Sequence, residues 1–102
     1  MDDTRLGEQT DLLDKEELEE PPLYKVLLHN DDYTTMEFVV EILEEIFHKT
    51  PAEATAIMLN VHNKGVGVCG VYPAEIAETK IDQVHNRARK AGFPLLATME
   101  LV

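Results

Sequence analysis

Asn30, Asp31 and Asp32 are adjacent, and they join an apolar run over residues 24–28 to an apolar-periodic segment that begins near Met36. Two neighbouring carboxylates are a candidate acid/base pair. Adjacent acids just ahead of a helix are also common turn formers that complement its dipole, and taken alone the triplet reads more readily that way. Cys69 is the one thiol. A nucleophilic cysteine needs a histidine and an orienting group beside it. Cys69 instead lies between Val68 and Gly70 in a β-branched run, so a buried structural thiol is expected. The four histidines, His29, His48, His62 and His85, show none of the HExxH, CxxC or EF-hand spacings. No metal and no other cofactor is expected.

The elements that must position these groups follow from periodicity and capping. Residues 24–28 are apolar apart from Lys25 and short enough for a strand, with a turn at 30–32. Thr34-Thr35-Met36-Glu37 fits a capping box and Tyr33 with Phe38 fits a hydrophobic staple. A helix is therefore expected beside the acids, with Met36, Val39, Val40, Leu43 and Phe47 inward and Glu37, Glu41, Glu44, Glu45 and His48 outward. Thr50-Pro51-Ala52-Glu53 is a second capping box with proline at the first helical position, starting a helix through about His62. Its stripe is Ala54, Ile57, Met58, Val61 and His62, so a histidine stands where an apolar residue is expected. Gly65, Gly67 and Gly70 punctuate a run that reads as a strand, either twisted or closely approached by neighbouring backbone. Pro73 opens a third helix with Ala77, Ile81, Val84 and Ala88 inward and Gly92 as its stop, and residues 94–102 read as the last strand. The fold class is α+β: a small three-stranded antiparallel sheet packed with three helices, in the order β-α-α-β-α-β.

Length and charge bound the function. A chain of 102 residues buries one modest core, which excludes a multidomain enzyme. Twenty acidic and nine basic residues give a net charge of -11, which repels phosphate backbones and anionic lipid heads and favours cationic partners. No nucleic acid and no membrane is expected as a partner. One cysteine forms no internal disulfide, and no signal segment or long apolar stretch appears, so the chain reads as soluble and cytoplasmic. Nine of the acids fall in residues 1–22 against only Arg5 and Lys15. That segment ends at Pro21-Pro22 and reads as a disordered acidic extension, either a solubility tail or an interaction arm, ahead of a domain over residues 23–102.

The segments YKVLLHNDDYTTMEFVVEIL, MLNVHNKGVGVCGVYPAEIAETK and PLLATMEL together resemble the ClpS family, over about residues 23–102. Members of that family are non-enzymatic adaptors that recognise N-degrons and deliver them to ClpA-type AAA+ proteases. The resemblance implies that Asn30, Asp31 and His62 bind the α-amino group of a substrate's first residue. It implies that Thr34, Met36, Val39, Met58, Val61 and Leu95 form the pocket for a first side chain of Leu, Phe, Tyr or Trp, with Met36 as gatekeeper and Thr34 also capping its helix. Asp32 takes a secondary or loop role. Glu75 and Lys80 match positions used to dock on the N-terminal domain of the unfoldase. The chemistry fits, because a free ammonium presents three donors and a positive charge and so needs acceptors at several angles near a carboxylate. The competing reading is a small hydrolase using His62 with Cys69 or Asp31.

Overall fold

A computed structural model describes residues 20–102; the expected disordered extension over residues 1–22 falls almost wholly outside them. The elements run β1 (Leu23–His29), α1 (Met36–Glu45), α2 (Pro51–Lys64), β2 (Val66–Pro73), α3 (Ala74–Ala91) and β3 (Leu96–Leu101), in the expected order β-α-α-β-α-β. The sheet order is β2-β1-β3, with both pairings antiparallel. The first strand is therefore central. Val26 and Leu28 of β1 are fully buried, as alternation along a strand covered on one face requires. They join Ile42 and Leu43 of α1, Ala54 and Val61 of α2 and Ala77, Val84 and Ala88 of α3 in one core.

Opposite Val26 and Leu27 the register slips by one residue, leaving Cys69 unpaired between Val68 and Gly70. The thiol stays on the inward face that alternation from Gly67 gives it and is fully buried. Gly67 shows why this strand carries small residues. A Cβ there would lie 2.7 Å from Cγ2 of Val61 and 3.2 Å from the Ile57 carbonyl, so β2 lies directly on α2.

The start of α1 departs from the expectation. Its N-cap is Thr35, not Thr34, and the Thr35 hydroxyl accepts the Phe38 N–H at 3.1 Å. Thr34 has its own N–H and hydroxyl bound to Asp31 and is unavailable as a cap. With the cap moved by one, Glu37 stands at the second helical position and the capping box does not form. Nor does the staple: Tyr33 is 75% exposed, and Phe38 packs instead on Phe93 with ring centroids 5.0 Å apart. Val39, Leu43 and Phe47 are buried as expected, but the buried face also takes in Phe38, Ile42 and Ile46, while Met36 is exposed.

The other helices follow their caps closely. At the start of α2 the Thr50 hydroxyl accepts from the Glu53 N–H at 3.1 Å and the Glu53 carboxylate accepts from the Thr50 N–H at 3.0 Å. The helix continues through Lys64 and ends at Gly65 with φ +89°, a left-handed turn that glycine adopts without strain. Pro73 caps α3 without a side-chain bond, and Gly92 stops it. Two side chains of α3 tie the layers together. Nε2 of His85 accepts the Ala97 N–H of β3 at 3.0 Å, and Nζ of Lys80 donates to the Ile46 carbonyl at the end of α1 at 2.8 Å. Among the described residues no helix is long and apolar enough to cross a membrane.

Candidate functional site

Where β1 ends, the chain folds around Asp31. One carboxylate oxygen accepts the N–H groups of Tyr33 at 2.8 Å and Thr34 at 2.7 Å, and the other accepts the Thr34 hydroxyl at 2.7 Å. Such side-chain-to-backbone bonding is how aspartate builds a turn. Partial burial pushes the carboxyl pKa up, but the hydrogen bonds from Thr34 and Tyr33 outweigh it and hold the group below its ordinary value. Asp31 is therefore ionised at neutral pH and largely occupied by its own loop. Asp32, one residue on, is exposed and makes no hydrogen bond among the described residues.

The loop is fastened to the end of α2. The Asn30 N–H donates to the Gly65 carbonyl at 2.9 Å, and the Gly65 N–H in turn donates to Val61 at 3.0 Å. This clasp holds Asn30 beside the last turn of α2, which carries His62. Composition and spacing do not reveal the clasp. The glycine just past a helical stripe was its one visible sign.

Between the loop, α1 and α2 lies a cavity of about 260 Å³. Asn30, Asp31, Asp32, Thr34 and His62 line it with polar atoms, and Met36, Val39, Met58 and Val61 supply its apolar walls. Every residue expected at the α-amino site, and all but one expected in the side-chain pocket, therefore meet in one cavity. The exception is Leu95, which is 4% exposed within the core and does not line the cavity. Small-molecule sites usually span about 300–1,000 Å³, so the space suits one large side chain better than a whole ligand.

The remaining candidates lie elsewhere. Glu75 is exposed at the start of α3. Lys80 is half-buried: besides bonding Ile46, its ammonium sits 5.7 Å from the Phe47 ring centroid and 5.4 Å from that of Tyr72. Its charge is thus engaged in closing the end of α1, unlike a free surface cation. Cys69 is fully buried, away from the cavity, and burial pushes its thiol up to about 12, the opposite of an activated nucleophile. No cluster of three or more metal-ligating side chains occurs among the described residues.

A cavity lined by carboxylates, an amide and an imidazole together with methionines and valines can hold a cationic head attached to an apolar body. Comparisons with known proteins give the family. The family model described as ATP-dependent Clp protease adaptor protein ClpS matches residues 19–98. The ATP-dependent Clp protease adapter protein ClpS of Nitratidesulfovibrio vulgaris (strain DSM 19637 / Miyazaki F) is 64% identical over 96 residues, covering 94% of this chain and 96% of that protein. The protein of the same name from Oleidesulfovibrio alaskensis is 58% identical over 104 residues, covering both chains in full. Among solved structures, Agrobacterium tumefaciens ClpS2 bound to L-phenylalaninamide superposes with a TM-score of 0.78 at 40% identity, covering 81% of this chain and 100% of that one. With matches of this extent and identity, the chain belongs to the ClpS family of ATP-dependent Clp protease adaptors.

Proposed function

We propose that this adaptor captures proteins by the free α-amino group and large hydrophobic side chain of their first residue. Leu, Phe, Tyr and Trp are the side chains it accepts. It performs no chemistry on them and delivers them to a ClpA-type ATP-dependent protease by docking on the N-terminal domain of the unfoldase. The observation that carries this reading is that several acceptors and four apolar side chains line one cavity sized for one side chain. The ligand of the solved relative, L-phenylalaninamide, has the same two parts: a free amine and an aromatic side chain.

Asn30, Asp31 and His62 surround the ammonium. Asp31 already accepts three hydrogen bonds, so it acts chiefly through its charge, while Asp32, with its oxygens unoccupied, adds a direct acceptor. Met36, Val39, Met58 and Val61 receive the side chain. Burying one large apolar side chain is worth about 1.5–3 kcal/mol and each charge-assisted hydrogen bond about 1.5–3 kcal/mol. After association costs, micromolar binding of about -8 kcal/mol follows. Exposed Glu75 is the contact for the unfoldase, and Lys80 supports that surface from within.

The test is a titration, by fluorescence anisotropy, of peptides that differ only in their first residue, with the peptide recovered afterwards and weighed by mass spectrometry. Tight, reversible binding of Phe-, Leu-, Tyr- and Trp-initiated peptides, recovered intact, is expected. Indifference to the first residue, or cleavage that disappears in Cys69→Ala, would overturn the reading.

A further inference from the structure

Val61 is shared between two neighbours. It lines the cavity, and it also carries the closest contact between α2 and β2. A Cβ at Gly67 would lie 2.7 Å from Cγ2 of Val61, 3.2 Å from the Ile57 carbonyl oxygen and 3.4 Å from Cγ2 of Ile57. Carbon atoms pack at about 3.5–4.0 Å, so a side chain at this position fits only if something gives. The strand is held, because Gly67 pairs in the sheet with Leu28, a fully buried residue of the central strand. The Ile57 carbonyl lies inside α2 and serves that helix's own ladder. Val61 remains. It is branched at Cβ and in a helix has one strongly preferred χ1 rotamer, so it does not swing aside without strain. It is 3% exposed and closed in by the core, and the open space beside it is the cavity.

We infer that Gly67, which does not itself line the cavity, is a positioning residue that sets the cavity's width through Val61. Its missing side chain lets Val61 sit back against β2, and the space so kept is what admits the largest first side chains, tryptophan above all. A methyl group at this position pushes Val61, or the turn of α2 that carries it with Met58 and His62, off β2 and into the cavity. At about 260 Å³ the cavity has little room to lose. Close-packed surroundings transmit a change of one methyl group rather than absorb it. Leucine, the smallest of the accepted side chains, tolerates the narrower space better than tryptophan does. The inference rests on the reading that this cavity holds the substrate's first side chain.

The test measures, by fluorescence anisotropy, the affinities of Trp-, Phe- and Leu-initiated peptides of otherwise identical sequence for wild type, Gly67→Ala, Val61→Ala and the double variant. Gly67→Ala is expected to lower the Trp-to-Leu affinity ratio at least about fivefold, the low end of what overpacking costs, with Phe in between. Val61→Ala opens the wall and raises the ratio. The double variant returns to within about twofold of wild type, because the methyl groups lost from Val61 make room for the one gained at position 67. A general weakening of the fold lowers all three affinities alike and leaves the ratio alone, so the ratio separates positioning from mere stability. If Gly67→Ala does not fold by itself, the double variant is compared with Val61→Ala, and the added methyl must lower the ratio there too. A ratio unmoved by Gly67→Ala, or equal in Val61→Ala and the double variant, would overturn the assignment. N-acetylated forms of the same peptides keep the two readings apart. If unblocked peptides bind wild type better than acetylated ones but the ratio ignores Gly67→Ala, the role of Gly67 alone fails. If unblocked peptides bind no better, the first-residue reading fails and the role of Gly67 falls with it.

Discussion

Asp31 and Asp32 differ by one position and by what their oxygens do. Asp31 accepts three hydrogen bonds from its own loop and Asp32 accepts none among the described residues. Asp31→Asn should therefore lower stability by about 1 kcal/mol, or about 4–8 °C in Tm for a domain of this size. Asp32→Asn should leave Tm unchanged while weakening binding of a Phe-initiated peptide several-fold. The Asp31 carboxyl lies below its ordinary value when folded, so its ionised form stabilises the fold. That contribution is complete above the unfolded value of 3.8 and is lost as pH falls through the lower folded value. Thermal melts of wild type and Asp31→Asn should accordingly differ at neutral pH and converge in acid below 3.8. Met36, 42% exposed, stands at the cavity edge. A branch at Cβ crowds such a wall whereas leucine, branching one carbon later, clears it. Met36→Ala should admit Val- and Ile-initiated peptides; a variant that only loses leucine affinity makes Met36 a packing residue. The sequence marked the triplet and the out-of-pattern His62. Which carboxylate the loop would consume was not legible, because it depends on how residues 29–35 turn in space.

At the scale of elements, α1 was the least legible helix and α2 the most. The capping box of Thr50 and Glu53 is a contact between residues three apart and needs nothing else to form. Thr34 looked like an equally good cap, but Asp31 competes for it, and the true cap moved to Thr35. The end of α1 depends on a partner 34 residues away, Lys80, which no local pattern reveals. Its match to a docking position concealed this role. Lys80→Met should remove the donor to Ile46 and the cation beside Phe47 and Tyr72, and so destabilise the fold by about 1–3 kcal/mol. Glu75→Ala should leave Tm unchanged and weaken binding to the isolated N-terminal domain of the unfoldase. Calorimetry on the two variants separates the roles, and an unchanged Tm for Lys80→Met would return that residue to the surface.

For the whole molecule, the order of elements and the antiparallel sheet were legible because each segment carries its own period and its own stops. The strand order β2-β1-β3, the bulge at Cys69 and the removal of Leu95 into the core were not, since they follow from how three strands and three helices share one core. The acidic extension enters at the whole-molecule scale too. Chain deleted for residues 1–20 should bind Phe-initiated peptides as before, because the cavity is built from residues 30–62. Delivery of a Phe-initiated folded protein to the reconstituted protease should stop if, as we propose, the unfoldase grips this extension, which docking would hold near it at high effective concentration. Undiminished degradation would remove the arm from the mechanism. The central claim, that one cavity reads a free amine together with a large apolar side chain, is tested most directly by isothermal titration with one Phe-initiated peptide in unblocked and N-acetylated forms. Acetylation removes the charge and two of the ammonium's three donors while leaving the side chain intact. Micromolar binding of the unblocked peptide and a loss of at least about 100-fold on acetylation, or 2.7 kcal/mol, is the predicted result; equal affinity for the two forms would contradict it.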